Sequence, residues 1–150
     1  MTVLAPDVGS IPMARSYAQL LGAHLAIIDK RRPEPNKSEV MHVIGDLNDR
    51  DVLIIDDLID TAGTMTTAAE VAKKKGAKSV FAMAGHCVMS GPAVKRVMDS
   101  PIEQLTVTNT MRIPEEKQIE KLRIISVGEV FGESIQRIHK EESISSLFKV

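Results

Sequence analysis

Tryptophan is absent from this chain, and aromatic residues of any kind make up only 3% of it. A core must therefore be built from Val, Ile, Leu, Ala and Met. The single cysteine, Cys87, excludes an internal disulfide and fits a reducing compartment. Charge of one sign is not in excess either: 19 Lys and Arg stand against 20 Asp and Glu, a formal net charge of -1. No overall basic field is available for nucleic acid or an anionic membrane, so any anionic ligand must be attracted locally. Long apolar runs are missing, and no bilayer-spanning segment is expected. The opening MTVLAPD lacks the basic start and apolar stretch of a signal peptide. A cytoplasmic protein is expected, and a start directly on a strand suggests a chain cut at a domain boundary.

What is present reads as one soluble globular domain of 150 residues, with 43% hydrophobic and 26% charged residues. Short apolar runs alternate with longer amphipathic segments. The pattern predicts strands at residues 2–5, 24–28, 39–44, 51–55, 80–84, 103–107 and 123–126. The run DVLII, residues 51–55, is the clearest, because a continuous β-branched stretch usually means burial on both faces. A first helix should be capped by Ser10, take Pro12 in its first turn and stop at Gly22. Further helices are expected over 64–75, ended by Gly76, and over 92–98 and 131–140, the last with Ile135 and Ile138 on one side. Alternation of this kind predicts an α/β fold, a mostly parallel sheet with helices on both faces. Residues 29–37 are the one long stretch without a pattern, and such a loop is usually functional or mobile.

The strongest chemical signal is Asp56-Asp57-Leu58-Ile59-Asp60-Thr61-Ala62-Gly63-Thr64. An apolar strand delivers two adjacent carboxylates, and a short loop then enters a helix. Ligands of open α/β sheets bind beyond the carboxyl ends of the strands, where this loop should lie. Gly63 admits close approach, and the N–H groups of Thr61 to Thr64 face the positive end of a helix dipole. Donors suit a phosphate, while carboxylates suit sugar hydroxyls or a magnesium ion. A ribose 5-phosphate offers both partners. The plainer alternative is that Asp60 and Thr64 cap the helix and that Asp56 and Asp57 are solvated.

This run resembles the ribose-phosphate signature of type I phosphoribosyltransferases, and more closely that of the ribose-phosphate diphosphokinase family. Ile28-Asp29-Lys30-Arg31-Arg32-Pro33 resembles that family's catalytic loop, Ser90-Gly91-Pro92-Ala93 its next landmark, and Ser143 to Phe148 its usual C-terminus. The resemblance covers essentially the whole chain and implies the C-terminal half of a two-domain enzyme with a type I phosphoribosyltransferase fold. It implies transfer of diphosphate from MgATP to ribose 5-phosphate, giving phosphoribosyl pyrophosphate and AMP. Lys30 and Arg32 would stabilise the transferring group. Asp56, with Asp57 nearby, would take the ribose hydroxyls, and Asp60, Thr61, Ala62, Gly63 and Thr64 the 5-phosphate. Asp7, in the loop Ala5 to Ser10, would help place magnesium.

The other half would supply most ATP contacts, so the isolated chain is expected to be inactive. A homo-oligomer is implied for the full-length enzyme, with no nucleic-acid or membrane partner. Two departures stand out: the family usually has glycine where Ser10 stands and arginine where Met13 stands, which weakens the expectation of diphosphate binding. They leave a non-catalytic regulatory relative as an alternative. A free-standing phosphoribosyltransferase would need a hood for its base, and no segment is spare for one. His86 reads as a hydrogen-bonded strand end rather than a ligand, and Cys87 as a buried thiol.

Overall fold

The computed structural model describes residues 1–31 and 40–148. Seven strands form one sheet in the order β3-β2-β1-β4-β5-β6-β7. They are β1 Thr2–Ala5, β2 His24–Arg31, β3 Val40–Ile44, β4 Asp51–Ile59, β5 Ser79–Cys87, β6 Gln104–Thr108 and β7 Leu122–Ile125. The helices are α1 Ile11–Leu20, α2 Gly63–Lys74, α3 Ala93–Asp99 and α4 Gly128–His139. Every strand pair is parallel except β2 with β3, which is antiparallel. No described helix is long and apolar enough to cross a membrane.

Central strands bury both faces, and their period of two divides the core. Leu4, Val52 and Ile54 point to one side, where Ala68, Ala69 and Ala72 of α2 and Ala93 and Val97 of α3 cover them. Val3, Ala5 and Ile55 point to the other, against Ala14 and Ala18 of α1. Alanines on the helices let them lie close to the sheet, and larger aliphatics on the strands fill the space. The expected helices on both faces of a mostly parallel sheet are thus present.

Three boundaries differ from the sequence expectation in ways that matter for the site. β4 runs four residues beyond Ile55, because β5 extends beside it and pairs Asp56 with Ala84, Leu58 with His86 and Ile59 with Cys87. Asp56 and Asp57 therefore sit within a strand rather than at its end, Asp56 held directly by the ladder. β2 likewise continues through Asp29, Lys30 and Arg31, which pair with His42, Met41 and Val40 of β3. Lys30 is a strand residue. The patternless stretch expected over 29–37 is thus strand at its first three positions, and its remainder, Arg32 included, lies outside the described residues. Finally, α4 begins three residues earlier than expected, and Phe131, Ile135 and Ile138 on it are exposed.

Candidate sugar-phosphate site

The β4–α2 connection turns sharply. Ala62 adopts the left-handed conformation, φ 61 and ψ 5, and α2 starts at Gly63 with no side chain capping it. The plainer reading of Asp60 and Thr64 as caps is thereby not borne out. The N–H groups of Ala62, Gly63 and Thr64 donate to nothing among the described residues. The Thr61 and Thr64 hydroxyls are without partners there too. Successive backbone donors around a left-handed residue make a concave anion nest, and the dipole of α2 reinforces it. A cavity of about 140 Å³ opens here, lined by Asp56, Leu58 and every residue from Ile59 to Met65.

Neighbouring segments hold this loop from behind. Ser90 Oγ hydrogen-bonds the Asp60 carboxylate, and Ser90 N–H donates to the Asp60 carbonyl at 3.0 Å. The N–H groups of Val88 and Met89 donate to the Ile59 carbonyl at 3.0 and 3.1 Å. The Ser90-Gly91-Pro92-Ala93 stretch is thus the support of the loop. From α3, Arg96 Nη1 donates to the Thr61 carbonyl at 2.9 Å. Sequence reasoning passed over Arg96. Its position one turn into the helix after Ser90-Gly91-Pro92 was the available signal.

A second cluster adjoins the first. Ser10 is almost fully buried, and its Oγ lies 3.0 Å from Asp7 Oδ1 and 2.9 Å from Asp56 Oδ1. Its N–H also donates to Asp7 Oδ1 at 3.1 Å. The expected capping of α1 by the Ser10 side chain is absent, because the hydroxyl is drawn sideways to the two carboxylates. A hydroxyl carries one proton, so it can satisfy only one of them at a time. Asp56 titrates above the ordinary carboxylate range. Burial is the main cause, and the charges of Asp7 and Asp57 add to it, against hydrogen bonds from Ser10 and the Asp57 N–H.

Asp7, Ser10, Met13, Asp56 and Asp57 line a cavity of about 260 Å³. A third, less polar cavity of about 380 Å³ continues from it past Met13, Tyr17, Met83 and His86. The described residues contain no group of three or more His, Cys, Asp or Glu arranged to hold a metal. Asp7 and Asp56 do suit a magnesium ion held by one or two carboxylates and by substrate oxygens, which is the usual manner of that ion. His86 Nδ1 lies 2.9 Å from Thr110 Oγ1, as a hydrogen-bonded strand end should. Cys87 is buried, and burial pushes its thiol up.

Residues 32–149 match the family model described as "Phosphoribosyl synthetase-associated domain". The chain belongs to this family. Ribose-phosphate pyrophosphokinase 1 of Listeria innocua is 50% identical over 149 residues, covering 99% of this chain and 47% of that protein. The ribose-phosphate pyrophosphokinase of Bacillus subtilis is 47% identical over 148 residues, again 47% of its length. The chain therefore spans about half the length of these relatives. Among solved structures, phosphoribosylpyrophosphate synthetase from Mycobacterium smegmatis superposes with a TM-score of 0.88 at 32% identity, over 94% of this chain and 45% of that one. Orotate phosphoribosyltransferase from Aeropyrum pernix reaches 0.59 at 18% identity, covering 90% of this chain and 64% of that one, a likeness of fold alone. The fold is that of the synthetases and phosphoribosyltransferases.

Proposed function

We propose that this chain is the ribose 5-phosphate-binding half of a ribose-phosphate diphosphokinase. One observation carries the reading: three N–H groups and two threonine hydroxyls without partners among the described residues line the same cavity as Asp56, within a synthetase family. The phosphate would occupy the nest of Asp60 to Thr64. The ribose hydroxyls would donate to Asp56, with Asp57 beside it. In the complete enzyme the anomeric oxygen would bond to the β-phosphorus of ATP as the bond from that phosphorus to the α,β-bridging oxygen breaks. AMP leaves with that oxygen, and the hydroxyl proton passes to solvent.

Such transfer depends on positioning and charge stabilisation more than on covalent help. Lys30, held on β2, would bring one cation to the transferring group, and Arg32 is proposed for a second. Magnesium, when bound, would neutralise phosphate charge and orient the triphosphate. Asp7 and Asp56 would hold it. ATP would bind with the other half of the enzyme. Placement as the C-terminal half is supported by the likeness of Ser143 to Phe148 to the family's terminus. Assembly into homo-oligomers in the cytoplasm is proposed for the full-length enzyme.

Titration of the ¹⁵N-labelled chain with ribose 5-phosphate tests the binding role, and shifts confined to residues outside 56–64 would refute it. Mixing with a separately expressed N-terminal half of a relative should restore AMP release if the placement is right. A C-terminal half should not. One observation favours the regulatory relative as a second reading: Ser10 and Met13 line the cavity where diphosphate would lie, and the Ser10 hydroxyl lies between the two carboxylates.

A further inference from the structure

Arg96 stands out once the polar side chains around the phosphate nest are followed to their partners. It lies exposed on α3, on a different element from every residue in the nest. Among the described residues its one side-chain hydrogen bond is from Nη1 to the Thr61 carbonyl at 2.9 Å, and no carboxylate pairs with it. The same nitrogen would lie 3.3 Å from a Cβ added at Gly63. The guanidinium is thus bonded to the residue before Ala62 and sits near the one after it.

A trans peptide is planar, with its C=O and the following N–H on opposite edges. Holding the Thr61 carbonyl toward α3 therefore turns the Ala62 N–H away from α3. Left-handed Ala62 then brings the Gly63 and Thr64 N–H groups in beside it. Without a partner, the Thr61 carbonyl could rotate into the nest and present an acceptor to an anion. Four further N–H donors of the guanidinium remain unused, and its charge is unneutralised within the described residues.

We propose that Arg96 is the positioning residue of the sugar-phosphate loop, fixing the Thr61–Ala62 peptide so that its N–H serves the phosphate and placing a positive charge beside the nest. The proposal rests on the reading above, that this loop holds ribose 5-phosphate. A methyl added at position 63 would lie 3.3 Å from the guanidinium and shift it slightly.

The test compares the wild-type chain with Arg96→Gln and Arg96→Lys, titrated with ribose 5-phosphate and with inorganic phosphate while backbone amides are followed by NMR. Thermal melts serve as the folding control. Arg96 is exposed, so both variants should melt with the wild type. Arg96→Gln should bind about tenfold more weakly, the scale of one charge-assisted hydrogen bond, with the Ala62 amide response lost first. Arg96→Lys, which keeps the charge but not the planar fork, should recover part of the affinity. Arg96→Gln binding within twofold of wild type, with an unchanged Ala62 response, would overturn this role and leave the phosphate site standing. No response at residues 61–64 in the wild type would overturn both.

Discussion

Removing the Ser10 hydroxyl should change the stability of the protein in a pH-dependent way. In Ser10→Ala, Asp7 and Asp56 lose the donor that lies 3.0 and 2.9 Å from their oxygens. A hydrogen bond to a charged group contributes about 1.5–3 kcal/mol, and the half-exposed carboxylates discount this to about 1 kcal/mol at neutral pH. Asp56 already titrates above its ordinary range, chiefly from burial, and the Ser10 hydrogen bond works in the opposite direction. The variant should therefore raise it further. A carboxyl whose folded value is raised contributes most at low pH, and that contribution is lost as pH rises from the unfolded value through the folded one. The difference between variant and wild type should thus be small at about pH 3.5, below the unfolded value, and grow to its full size above the folded value. Urea melts across that range measure the difference, and carboxyl ¹³C titration of Asp56 measures the cause. An Asp56 titration that stays put, or a loss of stability equal at both ends of the range, would show that the hydroxyl does not serve this carboxylate.

Three further outcomes are expected. Thr64→Ala should weaken phosphate binding by about 1–2 kcal/mol, since its hydroxyl has no partner to lose among the described residues, and calorimetry at fixed salt reads this directly. Gly63→Ala should leave stability within about 0.5 kcal/mol, because the added methyl meets only the end of a flexible arginine, yet reduce phosphate affinity several-fold by displacing that guanidinium. The isolated chain should release no AMP from MgATP and ribose 5-phosphate, because the reacting groups must be held in line by both halves. AMP release by the chain alone, abolished in Lys30→Ala, would show that this half carries more of the active site.

Much of the fold was legible from residue pattern because it depends on local chemistry. The run Asp51 to Ile55 could hardly be anything but a doubly buried strand, and Gly76, at φ 86, ends α2 where a left-handed residue is needed. The loop from Asp60 to Thr64 was readable for the same reason: its donors come from consecutive backbone groups at one helix start. What sequence could not show depends on partners distant along the chain. β4 and β2 run past their apolar stretches because β5 and β3 offer ladders there, and a ladder stabilises a polar residue as well as an apolar one. Ser10 had the spacing of a helix cap, yet its hydroxyl was claimed by a carboxylate 46 residues away. Arg96 reaches the carbonyl of a residue 35 positions earlier, a contact that only the packing of α3 beside α2 creates. Local periodicity and turn chemistry act within a few residues of themselves. Which carboxylate a hydroxyl meets, and which carbonyl a guanidinium holds, is decided when the sheet brings its loops to one edge.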